Sequence, residues 1–375
     1  MSALFCRLPK LRGPGARPLR LFLLCMCLFG PLGSLAWAAD ADWIRPQHPG
    51  DPLIWGRRDG IVFGLPCTGG MKGPRGLIRV GVVPPGGGNP QVLNYIAIEP
   101  VVAGPGSRSS RMAFSELEAS VLDPGERGKR LWVAPVADPS NEAWRGDLRS
   151  LHSGHAAVER LSVRVDVEPY TANGADVYLV ASIDSDHPEE LRISVFGKSD
   201  SPPLDELTVT ATMGNYERLR LLWLKDRVVD SRKLFSSYQG DAFVELNSYA
   251  MDQMLRSRDG DAIVYATSSE PDPQTTAGNN TAHWPYLLPR FTQYWRIPAH
   301  DLEPDLRVRV NARRVYWQSK VPVLGGIAFE NFEVRERYVP GQTFVFGISQ
   351  QQPWQLDPEL EPLEKMFAGI SDGQK

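Results

Sequence analysis

Two stretches, Leu161-Ser-Val-Arg-Val-Asp-Val-Glu168 and Leu306-Arg-Val-Arg-Val310, decide the fold class. Apolar and polar residues alternate in both, and a period of two puts the apolar set on one face of a β-strand and the polar set on the other. Further strand-like runs lie on either side of these stretches. They cover 61–65, 76–83, 92–99, 176–183, 191–196, 207–213, 262–266, 314–317, 327–334 and 343–348, with punctuation such as Pro84-Pro-Gly-Gly-Gly-Asn-Pro90 between them. The best helical candidate is 241–256, where Phe243, Leu246, Met251, Met254 and Leu255 would share an apolar face. No βαβ alternation, no glycine fingerprint after a strand and no fixed-period repeat interrupts this pattern. The expectation is an all-β fold, a large antiparallel β-sandwich of two broad packed sheets, of jelly-roll or super-sandwich type, with few short helices.

The chain has 375 residues with 34 Gly, 32 Pro, 42% hydrophobic residues and four Cys, which excludes a disordered polymer, a collagen and a disulfide scaffold. Its start reads as an export signal. Arg7, Lys10, Arg12, Arg17 and Arg20 precede the apolar run 21–29, and Ala36-Trp37-Ala38 offers small residues at −3 and −1, which predicts cleavage after Ala38 and a periplasmic or secreted protein. Losing the five positive charges of residues 1–38 takes the net charge from −3 to −8 and leaves Cys67 alone of the four Cys. No internal disulfide is then expected, nor an integral membrane segment, and an acidic chain is a poor nucleic-acid partner. The expected organisation is a signal peptide over 1–38, a single sandwich over 41–350 with a rival subdivision near 150–160, and an extension over 351–375.

Four groups of residues stand out chemically. In 207–225, a continuous strand would put Tyr216, Arg218 and Arg220 on one face. An Arg that neutralises a uronate carboxylate, beside a Tyr that removes the α-proton, is the equipment of a polysaccharide lyase. The alternative is that Gly214 marks a turn closed by Asn215. The second group is aromatic, His283, Trp284, Tyr294, Trp295 and Arg296, and offers either flat rings for sugars or core packing. Tyr294 and Trp295, being neighbours, must face opposite sides of a strand.

The third group is Arg307, Arg309, Asn311 and Arg313 at alternate positions, a basic stripe able to hold acidic groups or simply to meet solvent. The fourth is carboxylic: Glu99, Glu116, Glu118, Glu330 and Glu333 lie in or beside apolar strands, with Glu99 and Glu330 preferred as a catalytic pair and an Arg partner as the structural alternative. His152 and His155 have the spacing of metal ligands but lack a convincing third, so no metal and no cofactor is expected. The function expected is an exported carbohydrate-active protein with a polysaccharide or oligosaccharide partner. A lyase on uronate-containing glycans is placed slightly ahead of a glycoside hydrolase, and a non-catalytic carbohydrate-binding or envelope structural protein is the rival.

Overall fold

The computed structural model describes residues 42–65, 75–84, 87–103, 128–133, 142–153, 156–269, 292–317 and 319–372. They form an all-β sandwich of two antiparallel sheets. Sheet A contains β1 (Trp43–Ile44), β2 (Ile54–Arg57), β3 (Val62–Gly64), β4 (Ile78–Val82), β5 (Gln91–Val102), β11 (Leu204–Thr212), β14 (Asn247–Ala250), β18 (Arg307–Arg313) and β19 (Ala328–Arg337). Its spatial order is β1-β2-β3-β4-β5-β11-β19-β18-β14.

Sheet B contains β6 (Leu131–Val133), β7 (Asp147–Ser153), β8 (Ala156–Val167), β9 (Val177–Asp184), β10 (His187–Gly197), β12 (Leu219–Trp223), β13 (Val228–Asp230), β15 (Leu255–Arg256), β16 (Ala262–Ser268), β17 (Thr292–Ile297) and β20 (Thr343–Ser349). Its main path is β13-β12-β16-β17-β20-β10-β9-β8-β6, with β15 beside β16 and β7 beside β8.

The alternation that predicts strands also selects the interior. Ile96 and Ile98, Val209 and Ala211, Phe332 and Val334, and Val308 and Val310 line the inner side of sheet A. Across the gap stand Val163 and Val165, Leu179 and Ala181, Leu191 and Ile193, and Phe344 and Phe346. Trp295 is fully buried between the sheets, 5.0 Å from the Phe346 ring centroid, and its indole N–H donates to the Phe332 carbonyl of sheet A at 2.9 Å. A second inter-sheet tie runs from the Asn94 amide to Gln293 Oε1 at 2.6 Å. Such bonds satisfy polar groups that the apolar gap would otherwise strand.

Two expectations change. The run 314–317 is not a strand, and within it only Val315 pairs, in a single bridge to Pro322. The stretch 241–256 is not a helix but contains the edge strand β14, a 3-10 turn over Met251–Gln253 and β15. Phe243 and Leu246 of the supposed apolar face are exposed, while Tyr249 is buried where β14 pairs with β18. Strand pairing and tertiary burial have overridden a weak helical period. The positions near 150–160 are occupied by the β7–β8 hairpin, in which Asp147 faces Ser162 and Ser153 faces Ala156.

A helix also follows β13, α1 (Ser231–Leu234), and α2 (Pro353–Leu356) and α3 (Glu361–Asp372) follow β20 as the last described elements. Among the described residues no helix is long and apolar enough to cross a membrane. Residues 1–41, with the expected export signal, lie outside the described residues, as does Cys67.

Because Trp295 fills the gap and ties the sheets together, Trp295→Ala is expected to cost about 3–5 kcal/mol of stability, read as a lower urea midpoint in equilibrium unfolding.

Candidate functional site

The outer face of sheet A, turned away from the core, carries a polar layer built by register. Thr208, Thr210 and Thr212 alternate with the inward Val209 and Ala211 on the central strand β11, so all three hydroxyls point outward. Thr208 faces Glu99 on β5 and Arg335 on β19, and Thr210 faces Glu333 on β19. On β18, Arg309 faces Glu333 and Asn311 faces Asn331, while Thr212 Oγ1 lies 2.7 Å from Asn331 Oδ1. The expected basic stripe therefore lies on this face. Two of its arginines are engaged: Arg309 is ion-paired with Glu333, and the Arg313 guanidinium sits 5.0 Å from the Phe243 ring centroid. Arg307, by contrast, is exposed.

At the centre, two buried carboxyls meet one hydroxyl. Thr210 Oγ1 is 3.3 Å from Glu99 Oε1 and 3.1 Å from Glu333 Oε2. A hydroxyl has one hydrogen, so it donates to one carboxylate and must accept from the other carboxyl, which then carries a proton. Charge assigns that proton to Glu99. Burial and the neighbouring Glu333 push Glu99 up to about 8, with Arg309, the Thr210 hydroxyl and Arg335 pulling the other way. Burial raises Glu333 as well, but Arg309 holds it both by charge and by hydrogen bond. The arrangement is two buried carboxyls joined through Thr210, Glu99 favouring its protonated form and Glu333 drawn back towards the carboxylate by Arg309.

Glu330, the expected partner of Glu99, is elsewhere. It lies five residues along β19 from Arg335, about 17 Å of strand from the level of Glu99. Its backbone carbonyl accepts from the Gly214 amide at 2.9 Å, where the β18–β19 register slips between Asn311 and Ala312. Glu333, two residues from Arg335, takes the place beside Glu99. Glu116 and Glu118 lie outside the described residues.

The 207–225 stretch is not one strand. β11 ends at Thr212, and residues 213–218 turn the chain from sheet A into β12 of sheet B. Met213 and Arg218 adopt φ of 63° and 51°, left-handed conformations that cost a non-glycine residue energy unless tertiary contacts hold them. Tyr216 is buried against Tyr316, with ring centroids 4.9 Å apart. The Arg220 guanidinium donates to the carbonyls of Leu324 and Gly326, the latter at 3.1 Å. Glu217 between them is fully buried and neither of its oxygens has a hydrogen-bond partner, so burial lifts it well above the ordinary carboxylate range and nearby Arg218 offsets only part.

The aromatic group divides as neighbouring residues must. Trp295 belongs to the core and cannot line an outer groove. Tyr294 and Arg296 point to the outer face of sheet B, where Tyr294 Oη lies 3.1 Å from Glu190 Oε1 and Arg296 pairs with Glu190 and Asp261. The expected site residues therefore do not share one cleft, because Glu99 and Tyr294 occupy opposite outer faces of the sandwich. His283 and Trp284 lie outside the described residues, as do the side chains of His152 and His155. Among the described residues no group of three or more His, Cys, Asp or Glu is arranged to hold a metal ion.

Sequence reasoning missed Thr210 and Arg335. The signal was present in the alternate threonines of Leu207-Thr-Val-Thr-Ala-Thr212, polar outer positions on a strand whose other face is apolar. No protein-family model, no curated protein and no solved structure matches the chain.

The raised carboxyls give stability a pH dependence. Unfolded Glu99 ionises near 4.3 whereas folded Glu99 holds its proton to about 8, so between these values the folded state binds more protons and stability falls as pH rises. Glu217, Glu333 and Glu336 shift in the same direction, Glu336 to about 7 through burial. Urea unfolding from pH 5 to pH 8 should therefore show falling stability, with Glu99 contributing up to about 1.4 kcal/mol per pH unit. Glu99→Gln should flatten this slope, and an unchanged slope would contradict the assignment.

Proposed function

We propose that the protein is an exported carbohydrate-active enzyme that cleaves a polysaccharide by hydrolysis, with Glu99 as general acid and Glu333 as the ionised partner. The observation that carries this reading is the Glu99–Thr210–Glu333 contact. Contacts of 3.1 and 3.3 Å put the two carboxyls on the same Thr210 hydroxyl, and a tetrahedral angle at that oxygen would set their nearest oxygens about 5 Å apart. Retaining glycosidases hold their two carboxyls about 5–5.5 Å apart, and inverting ones need more room for a water.

In the mechanism that follows, protonated Glu99 delivers its proton to the glycosidic oxygen as the bond to the anomeric carbon breaks. Glu333 attacks that carbon to form a glycosyl ester. Water then cleaves the ester while Glu99, now ionised, takes its proton. Arg309 keeps Glu333 ionised, and Thr210 fixes the spacing of the two groups. Export is supported by the basic and apolar start of the chain.

Hydrolysis replaces β-elimination as the favoured chemistry because the Tyr–Arg–Arg set is occupied. Tyr216 packs against Tyr316 in a tilted ring contact, and Arg220 holds two carbonyls in the turn that joins the sheets. Neither group presents itself to a uronate.

The test uses a panel of neutral and acidic glycans, assayed both for reducing ends and for unsaturated products. Reducing ends without unsaturated products are expected from the wild type, with kcat lowered about 10²–10⁴-fold in Glu99→Gln and Glu333→Gln. Each variant should keep a cooperative thermal transition. Unsaturated products would restore the lyase reading, and absence of turnover across the panel, with unfolding of both variants, would make the pair structural.

A further inference from the structure

The outer face of sheet B carries a row of facing positions that crosses five strands. Trp223 on β12 faces Tyr265 on β16, Tyr265 faces Tyr294 on β17, Tyr294 faces Gly347 on β20, and Gly347 faces Glu190 on β10. The Tyr265 and Tyr294 rings are 5.6 Å apart. Gly347 is required by this packing: a Cβ there would fall 1.9 Å from Tyr294 Cζ, so only glycine lets the Tyr294 ring lie across β20 and bring its hydroxyl to Glu190. Arg296 grips the same carboxylate from the next outward position on β17. Three aromatic side chains in line therefore end at a fixed carboxylate–guanidinium pair.

The cover of this row is the C-terminal segment of the chain. The Trp354 ring stands 5.5 Å from that of Trp223, and Leu360 is fully buried in a small apolar cluster with Trp223, Tyr265 and Tyr294, separate from the main core. The segment reaches the sheet through a few side chains, Trp354, Leu356, Leu360 and Leu363, while its two helices pack through the turn between them. Thr292 Oγ1 anchors its start by donating to the Gln351 carbonyl at 2.6 Å. A short segment held by a satellite cluster is the kind of element that opens without unfolding the domain.

We propose that the Trp223–Tyr265–Tyr294 row is a saccharide-binding platform and that residues 353–363 form a strap occupying it, with Trp354 in the place of a sugar ring on Trp223. Aromatic rings take the C–H face of a pyranose, and the Glu190–Arg296 pair at the end of the row takes its hydroxyls. The platform lies on the opposite face of the sandwich from Glu99 and Glu333, so it is a second site whose occupancy does not require the hydrolytic reading.

The experiment compares the full-length wild type with a Trp354→Ala/Leu360→Ser double variant. Each is titrated with a hexasaccharide of β-1,4-linked glucose and with one of β-1,4-linked uronate, following tryptophan fluorescence. The double variant is expected to bind one of the two at least tenfold more tightly than the wild type, and Tyr265→Ala in that background should abolish the gain. Both titrations are run in the Glu99→Gln background, where the hydrolytic reading predicts no cleavage of the ligand, so the strap effect is read separately from that reading.

Amide hydrogen exchange of the wild type should show 353–363 exchanging ahead of β16 and β17. If the double variant does not fold, Leu363→Ser carries the same titration with Trp354 and Leu360 intact. The proposal is overturned by a folded strap variant that binds neither saccharide, or by strap amides that exchange only with the whole domain.

Discussion

The apolar gap between the two sheets governs the rest of the molecule. Each long strand sends every second side chain into it, and the residues between must then lie on an outer face. This assignment is strict because a slip of one residue would exchange the two sets. It places Val209 and Ala211 against the core and, in the same strand, turns Thr208, Thr210 and Thr212 toward Glu99 and Glu333. In sheet B the same rule sends Trp295 inward and Tyr294 outward, so one short run, Thr292–Ile297, supplies both the tie between the sheets and part of the aromatic row.

Buried carboxyls are costly in such a structure. Replacing a buried ion pair with apolar residues often stabilises a protein, and removing one partner is strongly destabilising. Glu99 and Glu333 are therefore hard to explain as stabilising elements. Their cost is limited by neutralising one carboxyl, pairing the other with Arg309 and placing a hydroxyl between them. A protonated carboxyl beside an ionised one is also what acid–base chemistry on a glycosidic bond requires.

The fold was largely legible in the sequence because its signal is local. Runs such as Leu161–Glu168 state their own period, and paired strands confirm it. The site was legible only in part because it depends on register between distant strands. Glu99 was visible as a charge in an apolar strand, but nothing near it in sequence announces that β5 lies beside β11 and β11 beside β19. That neighbourhood selects Glu333 over Glu330. The crossover at 213–218 was hidden for another reason. Met213 and Arg218 hold backbone conformations usual for glycine, and tertiary contacts rather than residue type impose them. The supposed helix over 241–256 failed because short, partly exposed segments carry too few apolar residues to distinguish a period of 3.6 from chance.

The central claim is that one proton resides on the Glu99 side of a carboxyl pair at neutral pH. The most direct measurement is a carboxyl carbon NMR titration of the folded protein labelled at glutamate, with Glu99→Gln and Glu333→Gln used to assign the two signals. The account predicts that the Glu99 signal moves with a midpoint near 8. It also predicts that Glu99 titrates at lower pH in Glu333→Gln, where the neighbouring negative charge is gone. A Glu99 midpoint near the ordinary glutamate value of about 4.3, unaffected by loss of Glu333, would contradict it.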